Sequence, residues 1–108
     1  MTIALAQYSL SPADLSIVLA LARRGSLAAA GELLGVDSST VFRTLQRIEK
    51  GLHQRLFERT RSGYLPNELG AQLARHAEQI EAELEQARFI AQAPGHGVSG
   101  TVRISTID

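Results

Sequence analysis

The chain has 108 residues, 44% hydrophobic and 20% charged, with 11 Lys and Arg set against 11 Asp and Glu and no cysteine. That length allows one compact domain with an appendage, and the lack of cysteine excludes a disulfide scaffold, a zinc ribbon and a cysteine nucleophile together. Arg23, Arg24 and Glu32 break the apolar stretches well short of the roughly 20 residues a membrane span needs, and no basic region precedes an apolar run at the N-terminus, so the expectation is a soluble, cytoplasmic protein with no membrane partner.

Ser11-Pro12-Ala13-Asp14 opens the first predicted helix: Ser11 can cap, Pro12 suits the first helical position, and Asp14 can reach back and complement the dipole. Leu15, Val18, Leu19 and Ala22 recur at helical spacing, and Gly25 stops the run after Arg23 and Arg24. Ser26 caps a short second helix, Leu27 to Leu34, whose Ala28, Ala29, Ala30 and Gly31 let another helix approach closely before Gly35 ends it. The third helix starts after Asp37 and runs to about Lys50, with Val41, Leu45, Ile48 and then Leu52 on one apolar stripe and Ser38, Ser39, Phe42, Arg43, Gln46 and Arg47 elsewhere. Two helices joined by a few residues around a glycine, the second one polar and basic outward, form the helix-turn-helix pattern.

Leu56 to Arg59 and Tyr64 to Pro66 then flank Thr60-Arg61-Ser62-Gly63, which predicts a two-stranded hairpin with an arginine and a glycine at its tip, in the place of a wing. Asn67 caps the longest helix, Glu68 to about Gln92, where Leu73, Ile80 and Ala87 share one heptad position and Ala77, Leu84 and Ala91 another. That seam predicts a dimerisation helix, the alternative being a helix lying on its own domain. Ala93-Pro94-Gly95-His96-Gly97 is expected to break the helix, and Thr101 to Ile107 to form a single strand with nothing in this chain to pair with, the opening of a further domain. The expected architecture is mainly α: a winged helix-turn-helix over residues 1–66, a linker and dimerisation helix over 67–92, and a hinge with a first strand over 93–108.

Charge is unevenly spread. Residues 36–66 carry six basic side chains (Arg43, Arg47, Lys50, Arg55, Arg59, Arg61) against three acidic ones, whereas residues 67–92 carry two basic ones against five glutamates. A basic block beside an acidic helix fits a polyanion-binding head on a solvated stem, with an ordinary mixed surface as the plain alternative. Ala and Leu dominate the apolar set, which favours helices, and the absence of Trp disfavours a stacking surface for a sugar or cofactor. His53, His76 and His96 lack carboxylate partners at ligand spacing, and no nucleophile elbow, zinc-protease or phosphate-loop motif occurs, so neither a metal, a cofactor nor an enzyme activity is expected.

From Leu15 onward the ordered motifs resemble the N-terminal part of LysR-type transcriptional regulators. They read Gly25-Ser26, Ala30-Gly31-Glu32-x-Leu34, Val41-x-Arg43 through Ile48-Glu49, Leu56-Phe57-Glu58-Arg59 and Asn67-Glu68-Leu69-Gly70. The resemblance implies a bacterial regulator with a winged helix-turn-helix, a long helix through which dimers form, and an effector-binding domain that opens near Val98. The chain departs from the family pattern at Phe42, where Ser is most frequent, at Ser38 (often Gln), Gly31 (usually Ala), His53 (usually Gly) and Asn67 (usually Thr). The first two stand on the expected DNA-facing side, so an operator sequence does not carry over from better-known relatives. Asn67 still caps, and His53 adopts a left-handed conformation less easily than glycine.

With a recognition helix entering the major groove N-terminal end first, Ser38, Ser39, Thr40, Phe42, Arg43 and Gln46 stand nearest base edges and flanking phosphates. Arg43 suits a guanine or a phosphate, Gln46 an adenine, and Phe42 either a thymine methyl group or the core. Ser38 and Ser39 otherwise solvate a helix start, and Ser26 offers its helix N-terminus to a phosphate if it does more than cap. Arg59 and Arg61 are placed to grip phosphates or the minor groove; Arg47 is expected to pair with Glu49 or with a neighbour of Lys50, and Arg55 to be a solvated charge. The partner is then double-stranded DNA with a two-fold related site, bound by a homodimer, with any small-molecule effector acting only through a domain outside this chain. The competing reading is a winged-helix protein-interaction module whose long helix docks as a coiled coil. Polar Ser38, Ser39 and Thr40 at the leading end of the third helix favour the first reading.

Overall fold

The computed structural model describes residues 8–93. The elements follow in the order α1 (Pro12–Arg24), α2 (Leu27–Leu34), α3 (Ser38–Leu52), β1 (Phe57–Thr60), β2 (Gly63–Pro66) and α4 (Glu68–Gln92), the expected mainly α arrangement with a hairpin wing. Each helix starts where a short polar side chain satisfies one of the orphan donors of its first turn. Ser11 Oγ accepts the Asp14 N–H at 3.1 Å, Ser26 Oγ the Ala29 N–H at 3.1 Å, Asp37 Oδ2 the Ser39 N–H at 3.0 Å and Asn67 Oδ1 the Gly70 N–H at 2.8 Å. At the other ends Gly25 and Gly35 stop α1 and α2, and His53 closes α3 in the left-handed region at φ 57°.

Up to Glu78 the chain forms one compact unit. Its core gathers Val18, Leu19 and Leu21 from α1, Ala30 from α2, Val41, Leu45 and Ile48 from α3, Leu56 and Phe57 at the entry to the wing, and Ala74 and Ala77 from α4. Burying each of the larger side chains contributes about 1.5–3 kcal/mol, and the spacing of the α3 trio explains why that helix presents a polar edge outward. The turn after α1 and the wing meet at backbone level: the Tyr64 N–H donates to the Gly25 carbonyl at 2.8 Å, and a Cβ on Gly63 would stand 2.1 Å from that same oxygen. Only glycine at position 63 permits this approach.

The hairpin tip is tighter than the four residues expected. Phe57 pairs with Pro66, Glu58 with Leu65, Arg59 with Tyr64 and Thr60 with Gly63, so the turn is Arg61-Ser62 alone and Leu56 precedes the strand. Antiparallel pairing that continues to Thr60 and Gly63 sets this length, which composition does not reveal. The start of α4 is also used differently from the uniform seam expected. Ala77 is buried in the chain's own core and Leu73 packs against it, because these positions lie over α4's first turns, which close the domain.

Residues 79–93 form the described part of a second unit, helical up to Gln92. Within it Ile80, Leu84, Phe89 and Ile90 are exposed, as are Ala87 and Ala91. Among the described residues no helix is long and apolar enough to cross a membrane. Apart from Ala93, the expected hinge and the strand from Thr101 to Ile107 lie outside the described residues.

Candidate nucleic-acid interface

The 3.6-residue period of α3 sets Ser39, Arg43 and Gln46 along one exposed edge, with Ser38 exposed at its leading end. Thr40 and Phe42 flank this edge and are half-buried. Asp37 stands at the same end, and its Oδ2 accepts both the backbone N–H and, at 2.5 Å, the hydroxyl of Ser39. The Ser39 hydroxyl and amide, helped by the positive charge of Arg43, hold the Asp37 carboxyl below its ordinary value despite slight desolvation. Ser39 therefore turns its hydroxyl hydrogen back to the cap and leaves its oxygen lone pairs as the group it can offer outward.

The wing lies beside this helix because Glu49, in the last turns of α3, accepts the backbone N–H of Leu56 at 2.7 Å and that of Phe57 at 3.4 Å. Across the hairpin the Arg59 guanidinium sits 5.1 Å from the centre of the Tyr64 ring, and Tyr64 meets Phe57 edge to face at 6.4 Å. A cation over an aromatic face is restrained in direction, so Arg59 is presented on the wing rather than free to sweep. Arg61 is exposed at the tip. Between α3 and the wing runs a cleft of about 340 Å³ lined by Phe42, Gln46, Arg55 and Arg59 among others. Of its two expected places Phe42 does not take the core: it is outside the buried set and forms a wall of this cleft.

On the opposite flank of α3 the structure corrects one expectation and adds to another. Arg47 pairs with neither Glu49 nor a neighbour of Lys50 but with Asp14 of α1, 33 residues earlier, through Nη2 to Oδ1 at 2.9 Å and Nη1 to Oδ2 at 3.5 Å. Asp14 is 3% exposed and also accepts the Tyr8 hydroxyl at 2.8 Å, so beyond serving the helix start it is a buried anion with two partners. Burial pushes its carboxyl up, but the bonds and charge of Arg47, the Tyr8 hydroxyl and the Ser11 backbone outweigh it, and the net shift is downward. Tyr8 is pushed up to about 12, by burial first and then by its bond to the Asp14 carboxylate. Pairing with Asp14 raises the pKa of Arg47 as well.

Sequence reasoning missed this Asp14 pair and the tie from Glu49 to the wing, since contacts from one element to another leave no local periodicity. Arg55, expected as a solvated charge, is exposed yet lines the cleft. The structure brings Phe42, Gln46 and Arg59 to that cleft, while Arg61 sits at the hairpin tip. Among the described residues no cluster of His, Cys, Asp or Glu could hold a metal ion.

Comparison with known proteins agrees with this geometry. The chain is 35% identical over 95 residues to the HTH-type transcriptional regulator YofA of Bacillus velezensis, an alignment that takes in 88% of this chain and 33% of that protein. It is 34% identical over 80 residues to the nitrogen assimilation regulatory protein nac of Escherichia coli, covering 74% of this chain and 26% of the relative. The chain thus spans a third or less of the length of these curated relatives. Among solved structures, the crystal structure of the CbnR_DBD–DNA complex superposes with a TM-score of 0.65 at 25% identity over 77% of this chain and 95% of that one. The family model described as bacterial regulatory helix-turn-helix protein, lysR family, matches residues 12–71, and with the motifs, the wing and the recognition-type helix all in place, this chain belongs to that family.

Proposed function

We propose that this chain is the sequence-specific double-stranded DNA-binding part of a transcriptional regulator and acts as a homodimer. One observation carries the reading: Gln46 on the exposed edge of α3, the half-buried Phe42 beside it and the wing arginine Arg59 border one cleft, so a helix suited to the major groove and a basic wing are offered together. Arg43 is assigned to a guanine or a flanking phosphate, Gln46 to an adenine, and Phe42, half-buried in the wall of the cleft, to a thymine methyl group. Ser38, Ser39 and Thr40 line the leading end of the helix, and Ser39, with its hydrogen given to Asp37, is suited to accept from a base amino group. Arg59 and Arg61 grip backbone or minor groove and position the protein without reading sequence. Similarity to the CbnR_DBD–DNA complex supports DNA binding as such.

Dimerisation is assigned to the exposed part of the α4 seam, Ile80, Leu84, Ala87 and Ala91, with Leu73 and Ala77 contributing from its base only as far as their own core leaves surface free. The protein is a binding protein rather than an enzyme, works in the cytoplasm, and takes any small-molecule effector through a part of a longer protein outside this chain. Selection of bound sequences from a random duplex pool at two salt concentrations tests the reading. Enrichment of a two-fold symmetric motif is the expected result. Binding without a motif that vanishes at moderate salt would instead make the basic face an electrostatic patch and favour the protein-interaction module.

A further inference from the structure

The flank of α3 that faces away from the wing carries a feature the DNA-binding reading above does not use. Arg47 lies about 140° around the helix from Phe42, the wing-side residue, and about 100° from Gln46 and about 40° from Arg43 on the exposed edge. It therefore stands at the rim of the surface that would enter a groove, where a strand backbone rather than base edges would pass. Its two hydrogen bonds to Asp14 occupy one hydrogen on each terminal nitrogen, so three of its five N–H donors remain unused by that pair. The side chain is 58% exposed, while that of Asp14 is 5% exposed. The pair is thus a buried carboxylate holding an outward-facing guanidinium in a fixed plane. Tyr8 secures it from behind: its hydroxyl donates to Asp14, and its ring lies so close to Gly51 of α3 that a Cβ there would stand 2.5 Å away.

We propose that Arg47 is a backbone-phosphate contact of the DNA interface, with Asp14 and Tyr8 as the positioning residues that hold its guanidinium toward the strand. The proposal rests on the DNA-binding reading and deepens it by adding a second grip on the side of α3 opposite the wing. A planar fork with donors left over is the group that binds phosphate with directional preference, and restraint before binding lowers the ordering cost of the contact. The sequence-reading edge would then be held between two phosphate contacts, the wing arginines on one side and Arg47 on the other.

A charge-neutral double variant, D14N/R47Q, tests this without stranding a buried carboxylate, because it removes one negative and one positive charge together. Wild type and variant are compared on the selected motif duplex carrying a single neutral methylphosphonate at each backbone position in turn, with circular dichroism confirming an equal helical content. The expected result is a variant about tenfold weaker on motif and random duplexes alike, as suits loss of one charged hydrogen-bonding contact to a phosphate. One phosphate position per half-site that weakens the wild type when neutralised should have no effect in the variant. Should the variant show the wild-type pattern of sensitive phosphates, Arg47 makes no phosphate contact and the pair only supports the fold. If the double variant loses helical content, Arg47→Lys replaces it in the same scan: it keeps the charge and loses the fork, and the same position should become markedly less sensitive. A wild-type chain that binds no duplex overturns the DNA-binding reading and this proposal with it, whereas motif binding with an unchanged phosphate pattern overturns this proposal alone.

Discussion

The Glu49 carboxylate accepts the backbone N–H of Leu56 at 2.7 Å, so the helix assigned to base reading also fixes the point where the wing begins. Leu56 is fully buried, and its amide has no solvent to turn to. Glu49→Ala leaves that donor and the Phe57 N–H unpaired, and a loss of about 1–3 kcal/mol in denaturant unfolding is expected. Glu49→Gln keeps an acceptor and should retain most of the stability. Amide exchange at residues 56–60 should speed up in the alanine variant more than exchange within α1.

His53 ends α3 at φ 57°, a conformation in which a side chain crowds the backbone. His53→Gly is expected to stabilise the chain by about 0.5–1 kcal/mol, since glycine enters the left-handed region without that steric cost and the preceding helix is untouched. A rise in the unfolding midpoint at unchanged slope is the check.

Asp14 makes stability depend on acid. Its carboxyl lies below the ordinary value of 3.8 in the folded chain, held there by Arg47 and Tyr8 against its burial. A group depressed in this way stabilises fully above the unfolded value and loses that contribution as pH falls through the folded one. Wild type should therefore weaken below about pH 4, and its advantage over Asp14→Asn, measured at about pH 7, should shrink toward zero at strongly acid pH. An advantage that is constant across this range would mean that the ion pair does not set it.

Substitutions at Arg43 and Arg61 test the two kinds of DNA contact proposed above. Arg43→Ala should weaken a motif duplex by a further ~10-fold or more relative to a random one, because a bidentate base contact discriminates by about 1–3 kcal/mol. Arg61→Ala should weaken both duplexes alike, as a backbone contact does. Equal losses on both duplexes for Arg43→Ala would remove its base-reading assignment.

What the sequence revealed and what it concealed divides along the range of the interactions. Ser11, Ser26, Asp37 and Asn67 were legible as caps because a cap bonds an amide two or three residues away. The inward trio Val41, Leu45 and Ile48 was legible because one helix face is a local pattern. Local pattern does not say what covers a face, so Leu73 and Ala77 read as seam although they pack on their own domain. The Asp14–Arg47 pair spans 33 residues and joins two helices whose packing no spacing rule supplies. The hairpin tip is tighter by one residue on each side than composition suggests, because register is a property of two strands together.

The junction at Arg55 and Leu56 has a mechanical consequence. The Asn67 side-chain amide donates to the Arg55 carbonyl at 2.8 Å, the Asn67 N–H donates to the Leu56 carbonyl at 2.9 Å, and a Cβ on Gly70 would stand 2.2 Å from that oxygen. Glu49 holds the amide of the same Leu56 from the other side. One peptide segment is therefore gripped at once by the end of α3 and the first turn of α4, with no slack for a side chain larger than hydrogen at position 70. A twist applied to the head of α4 has nowhere to dissipate before it reaches the wing and α3, so these parts turn as a single lever.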